Sequence, residues 1–236
     1  MTQMPPSANP KAQIQCVHIG KEQQPVLIID DFLTAPEALI ERACELDFAP
    51  EQKLYPGLRA EAPRAYTDAM EAMLPPLLAR HFGTRAGDIT RVESSFSLVT
   101  QAPHTLSPLQ RLPHFDSRNR RELASIYFLC NQSSQRYGGT AFYRHRHTGY
   151  EAIDDGRFPR YAQSVEQHIQ ASGLPAADYI RGDTPLFEQI AAFPARYNRL
   201  LVYRCTSLHS GLIDESFDFS TDPRRARLSI NTFLVN

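Results

Sequence analysis

His114-Phe115-Asp116 is the stretch on which the reading of this chain turns. In an extended strand, residues i and i+2 point to one face. His114 and Asp116 can therefore reach the same metal ion while Phe115 points away. Of the eight histidines, only His114 has an aspartate two residues on. Working outward, His209 stands alone after the apolar run Leu200-Leu201-Val202-Tyr203, and Arg227-Leu228-Ser229 opens the strand-like run 227–235. Arg227 is the only arginine with a serine at i+2. Two imidazoles and one carboxylate on one face of a metal leave its other positions open, a ligand set suited to non-heme Fe(II). A guanidinium is a fork for a carboxylate, and a hydroxyl on the same strand face adds one more hydrogen bond.

Four segments together resemble the Fe(II)- and 2-oxoglutarate-dependent oxygenases, and within them the prolyl-4-hydroxylase-like branch. They are Pro25-Val26-Leu27-Ile28-Ile29-Asp30-Asp31-Phe32-Leu33 before a helix, His114-Phe115-Asp116, Tyr127-Phe128-Leu129-Cys130-Asn131 with Gly138-Gly139-Thr140, and residues 198–235. The resemblance spans most of residues 25–236. It implies Fe(II) on His114, Asp116 and His209 as the catalytic centre. It also implies 2-oxoglutarate as co-substrate, with its distal carboxylate on Arg227 and Ser229, and O2 as oxidant. Hydroxylation is the expected outcome, on an unidentified protein, peptide or small molecule. Two departures stand out. The strand before the His-x-Asp stretch reads Ser95-Phe96-Ser97-Leu98-Val99-Thr100 and lacks the tyrosine that helps hold oxoglutarate in relatives. Tyr127 is the candidate substitute. The insertion 214–223 lengthens the gap after His209 and leaves Arg225 a rival to Arg227.

Two other classes stay open. One is a non-catalytic barrel that keeps the fold for binding. The other is a cupin-like metal enzyme that uses no oxoglutarate, for which His145-Arg146-His147 offers a second pair at strand spacing. Arg227 and Ser229 argue against the latter.

With 236 residues, 42% hydrophobic and 22% charged, the chain has an ordinary globular composition. Its net charge of −1 points to neither nucleic acid nor a membrane surface. Cys16, Cys44, Cys130 and Cys205 form no CxxC pair, which excludes a zinc knuckle and a thioredoxin-like motif. No signal-like apolar segment and no membrane-length run occurs. The expectation is a cytoplasmic protein with reduced thiols.

Along the chain, residues 1–12 read as a disordered tail and 13–236 as one domain. Strands are expected within 14–29. Thr34-Ala35-Pro36-Glu37 reads as a capping box opening a helix over 36–46, with Ala38, Leu39, Ala43 and Leu46 buried. Residues 48–65 read as a loop, and Tyr55, Arg59 and Tyr66 could cover the site, with core or surface placement an equal alternative for each. A second helix is expected over 74–82, ending at Gly83. Strands follow at 92–100, 123–131, 139–143, 199–203 and 227–234. Helices first and strands after give a mainly β (α+β) fold: a double-stranded β-helix, or jelly-roll, cupin-like barrel, buttressed by N-terminal helices. The insertion 144–196 is expected to carry short helices at 164–171 and 185–192 and to act as a lid. Its Tyr150, Arg157, Arg160, Tyr161 and Arg181 suit an extended or anionic substrate.

Overall fold

Val26, Leu27, Ile28 and Ile29 are all buried, as a strand covered on both faces requires. They form the centre of β2 (Gln24–Asp30), which pairs with β1 (Gln13–Ile19). The computed structural model describes residues 5–51, 54–130, 138–214 and 217–236. After β2 come α1 (Glu37–Cys44), β3 (Ala49–Pro50), β4 (Gly57–Glu61), α2 (Arg64–Phe82), β5 (Arg91–Val99) and β6 (Leu123–Phe128). Then follow β7 (Gly139–His145), α3 (Phe158–Ser172), β8 (Phe187–Pro194), β9 (Arg199–Arg204), β10 (His209–Leu212) and β11 (Leu228–Val235).

Every strand pairing is antiparallel, in an eight-stranded sheet of order β1-β2-β9-β6-β11-β5-β4-β3 and a three-stranded sheet of order β10-β7-β8. The two sheets face one another. Phe142 of β7 meets Tyr203 of β9 with ring centroids 5.1 Å apart, inside an apolar cluster that includes Ala124, Ile126, Phe128 and Leu201. The expected mainly β class is what forms. The expected closure is not: among the described residues the sheets remain two, with no continuous barrel.

The opposite face of the large sheet carries Leu27, Ile29, Tyr127, Leu200, Val202, Leu228 and Ile230, and the N-terminal helices pack on it. α1 buries Leu39, Ile40 and Ala43. The anticipated capping box is absent. Pro36 sits at the N-cap without a side-chain bond, and Thr34 instead pairs its hydroxyl with Ser7. α2 begins ten residues earlier than expected. Its buried stripe runs Tyr66, Met70, Leu74, Leu78 and Phe82, a fourfold spacing that holds one helical face against the sheet. Pro75 and Pro76 lie inside it. Each lacks a backbone N–H, so neither closes a ladder bond, and the flanking apolar stripe carries the helix through.

Two further expectations are corrected. Residues 1–4 of the expected tail lie outside the described residues, but 7–9 are held. Asn9 donates its backbone N–H to Phe32 O at 2.8 Å and its side-chain amide to Asp31 O at 2.8 Å. Ala8 bridges Leu33. Residues 185–192, read as a helix, instead belong largely to β8, because pairing with β7 satisfies their backbone across the sheet edge. Asn131, expected at a strand end, lies outside the described residues. α3 contributes buried Tyr161 to a third cluster on the outer face of the small sheet, with Ala141, Tyr143, Ile153 and Phe187. The insertion therefore supplies a strand and an outer layer.

Candidate metal centre

Two short 3-10 turns, Pro103–Thr105 and Pro108–Arg111, deliver the chain to His114. There it makes one bridge with the edge of the small sheet. His114 N–H donates to His209 O at 2.9 Å, and His209 N–H donates to His114 O at 2.8 Å. Directly paired residues of antiparallel segments project from the same face. The two imidazoles are accordingly adjacent, with centroids 4.3 Å apart. Asp116 is placed by its own backbone N–H, bonded to Cys205 O at 2.8 Å. An isolated bridge rather than a full strand supplies the register here.

The ligand atoms converge. His114 Nε2 lies 3.8 Å from Asp116 Oδ1, His209 Nε2 lies 3.6 Å from Asp116 Oδ2, and one atom from each residue falls within 4.8 Å of the others. Ligands about 2.1 Å from an ion and at right angles to one another sit about 3 Å apart. Shifts of roughly an ångström close the set on a divalent cation, so the donors fit one. His209 is pre-oriented. Its Nδ1 lies 2.9 Å from Ser207 O; a carbonyl only accepts, so Nδ1 carries the hydrogen and Nε2 keeps its lone pair for the centre. The rings of Tyr203 and Phe142 wall His209 at 4.7 and 6.1 Å.

The side chain of His209 is 6% exposed, that of Asp116 14% and that of His114 50%, so the centre opens on one side. It opens into a cleft of about 580 Å³ between the sheets, whose wall includes Tyr55, Arg59, Tyr179, Tyr203, Arg227 and Asn231. The half of the His114 ring packed against the cleft wall is desolvated, which lowers its pKa from the usual imidazole value, with the His209 and Arg59 charges adding to the effect. That direction favours the neutral ring, the form that ligates. Desolvation raises Asp116, opposed by His209 and Arg59. A divalent cation beside it would favour its ionised form.

Arg227 is 3% exposed. Its Nη2 donates to Gly139 O at 2.9 Å and its guanidinium lies 5.2 Å from the centre of the Phe128 ring. The preceding Gly138 has φ 63°, and a Cβ there would collide with Leu212 O, so the Gly138-Gly139 turn that receives Arg227 requires glycine. Arg225, the rival, is an exposed surface residue ion-paired with Asp218 at 3.0 Å. Ser229 shares the face of Arg227 but is fully buried, with its hydroxyl donating to Asn231 Oδ1 at 3.1 Å. Asn231, rather than Ser229, lines the cleft.

Tyr127 is on the wrong side of the sheet for the role expected of it. Its neighbours Ile126 and Phe128 face the inter-sheet cluster, so the period of two sends Tyr127 to the helices. There it stacks on Tyr66 with centroids 5.5 Å apart and donates its hydroxyl to Asn198 Oδ1 at 2.7 Å. His145, half of the alternative pair, is buried on the outer face of the small sheet between Tyr161 and Phe187. Its Nδ1 meets Thr148 Oγ1 at 2.8 Å, and burial pushes its pKa down to about 4.

The aromatic hydroxyls that do line the cleft come from elsewhere: Tyr203 on β9, Tyr55 before β4 and Tyr179 in the insertion. Tyr203 had a usable signal, being two residues beyond Leu201 on a strand whose alternate residues face inward. Tyr179 had none. It reaches across to Gln101 O at 2.7 Å and is the insertion residue that lines the cleft among those described.

These features define a class: a two-sheet β protein with a two-histidine, one-carboxylate centre at the bottom of an inter-sheet cleft. The chain belongs to DUF6445, a family of unknown function, whose match covers residues 10–234. No curated protein matches it. Among solved structures it is similar to HygX from Streptomyces hygroscopicus with nickel, 2-oxoglutarate and hygromycin B bound: 12% identity, TM-score 0.47, over 91% of this chain and 84% of that one. It is similar also to a prolyl hydroxylase from Trichoplax adhaerens in complex with a hypoxia inducible factor peptide: 14% identity, TM-score 0.47, over 89% and 83%. A Pseudomonas putida prolyl-4-hydroxylase gives 11% identity and a TM-score of 0.44 over 91% and 94%. At such distances the chemistry has to be taken from this chain's own residues.

Proposed function

We propose that this chain is an Fe(II)- and 2-oxoglutarate-dependent oxygenase. The single observation that carries the reading is the mutual backbone bridge of His114 and His209, which sets two imidazoles beside Asp116 at 3.6 and 3.8 Å and turns them toward one cleft. His114, Asp116 and His209 would hold the iron, which when bound supplies O2 activation coupled to oxidative decarboxylation of the co-substrate. Arg227 would take the distal carboxylate of 2-oxoglutarate. Its position over Phe128 and its bond to Gly139 O aim the guanidinium before any ligand arrives, which lowers the ordering cost of binding. Tyr203 and Phe142 keep water from the buried side of His209.

The substrate is a protein, peptide or small molecule entering by the open side, where His114 is half exposed, and hydroxylation is the expected outcome. The four unpaired thiols fit a reducing cytoplasm. Among the described residues no helix is long and apolar enough to cross a membrane.

Calorimetric titration of 2-oxoglutarate into metal-free and Ni(II)-loaded protein tests the reading without turnover. The expected result is one site that appears only with metal and disappears in His209→Ala. Metal-independent binding, or Ni(II) affinity unchanged in His209→Ala, contradicts it.

A further inference from the structure

Arg227 is not the only arginine in the cleft. Arg59 lies on β4, in register with Ser97 of β5, which is itself in register with Ser229 of β11. Its guanidinium carbon stands 4.3 Å from the centre of the Tyr55 ring, and its Nη1 is 2.7 Å from Glu51 Oε2. Arg59 Nε is buried without a hydrogen-bond partner among the described residues, and the buried Tyr55 hydroxyl lies beside Ser97. A buried donor left unsatisfied is costly, and a guanidinium N–H more so than a neutral one. Arg59 and Tyr55 both line the cleft that holds the metal triad. At its mouth stand Leu54 and Leu109, 54% and 60% exposed, two of the few large apolar side chains left to solvent.

We propose that Arg59 and the Tyr55 hydroxyl form an anion subsite separate from Arg227, and that the substrate is an organic carboxylate whose apolar body lies across Leu54 and Leu109. Arg59 lines the same cleft as His114, Asp116 and His209. A carboxylate on Arg59 would therefore place neighbouring carbons close to the triad. Glu51 occupies one side of the guanidinium and leaves Nε for an incoming oxygen. Glu93 shares this face of β5 but lies four residues from Ser97, roughly 13 Å along the strand, too far to compete. The inference depends on the oxygenase reading only in calling the ligand a substrate.

The test uses n-octanoate and n-octylamine as probes, titrated into full-length protein loaded with Ni(II) and 2-oxoglutarate and, separately, into metal-free protein. Octanoate is expected to bind and octylamine is not. Arg59→Gln should weaken octanoate about tenfold or more, as loss of a charge-assisted contact does, and Tyr55→Phe should weaken it severalfold. Glu51→Gln should strengthen it by removing a competing carboxylate. If Arg59→Gln fails to fold, Glu51→Gln and the Glu51→Gln/Arg59→Gln double variant carry the comparison. Equal binding of octylamine, or octanoate affinity within twofold of wild type in the arginine variants, overturns the subsite. So does loss of 2-oxoglutarate affinity in Arg59→Gln with octanoate unchanged, which would make Arg59 part of the co-substrate anchor. Failure of the oxygenase reading would look different: octanoate would still bind in an Arg59-dependent way while 2-oxoglutarate showed no metal-dependent site.

Discussion

Arg225 and Arg227 stand two residues apart in sequence and in very different surroundings. Arg225 holds Asp218 with both side chains mostly exposed, an arrangement worth about 0–1 kcal/mol. Arg227 is buried in the wall of the cleft into which His114, Asp116 and His209 open. Arg227→Gln should therefore cost about 2–5 kcal/mol of 2-oxoglutarate binding while Ni(II) still binds, and Arg225→Gln should leave both affinities near wild type. Titration calorimetry on the two variants separates them. Tyr127→Phe provides the converse case. It deletes a buried bond to Asn198 Oδ1, which still accepts from Leu33 N at 2.9 Å, so about 1 kcal/mol of stability should go. Oxoglutarate affinity should not change, and denaturant unfolding alongside calorimetry checks both. The period of two shows which residues share a face, His114 with Asp116 and Arg227 with Ser229, but it did not single out Asn231, which lines the cleft. It did not say which face of β6 meets the cleft. Phe128 and Tyr127 are equally plausible inward residues until β9 and β11 are known to flank them.

At the scale of elements, the large sheet is clipped where β2 ends and β9 begins. Asp30 and Arg199 are paired in register, with Nε–Oδ1 at 2.6 Å and Nη2–Oδ2 at 2.8 Å, and Arg196 adds a contact at 3.2 Å. The Arg199 hydrogen bond lowers the Asp30 pKa against the pull of desolvation. A carboxylate lowered in the folded state stabilises fully above its unfolded value, about 4, and loses that contribution as pH falls through the folded value beneath it. Asp30→Asn should thus cost about 1 kcal/mol at pH 7, after allowance for solvent screening, and the difference from wild type should shrink as pH falls below about 4 and through the folded value beneath it. Unfolding curves for both proteins across that range test it. Strands with dense β-branched and aromatic content, β5, β6, β9 and β11, were legible within a residue or a few. β8 was not, since Phe187-Glu188-Gln189-Ile190-Ala191-Ala192 has helix-forming residues and takes its strand state from β7. β4 was hidden in a Pro- and Gly-containing stretch that only pairing with β5 straightens. α2 was truncated in the reading because Pro75 and Pro76 resemble a first helical turn, whereas the Tyr66 to Phe82 stripe overrides them.

For the whole molecule, two sheets of unequal size leave a cleft between them. The small sheet brings His209, its edge bridge brings His114 with Asp116, and the large sheet brings Arg227. No element holds the site alone, so the sequence could nominate its residues, Arg59 among them, but not the cleft that gathers them. Co-substrate turnover is the decisive property. Supplied with Fe(II), ascorbate and air, the protein should convert 2-oxoglutarate to succinate and CO2 in equal amounts, even without added substrate at a slow uncoupled rate, and Asp116→Ala should reduce this to the protein-free background. Wild-type protein that binds Fe(II) yet yields no succinate above that background with or without a carboxylate substrate, or an Asp116→Ala variant as active as wild type, contradicts the central claim.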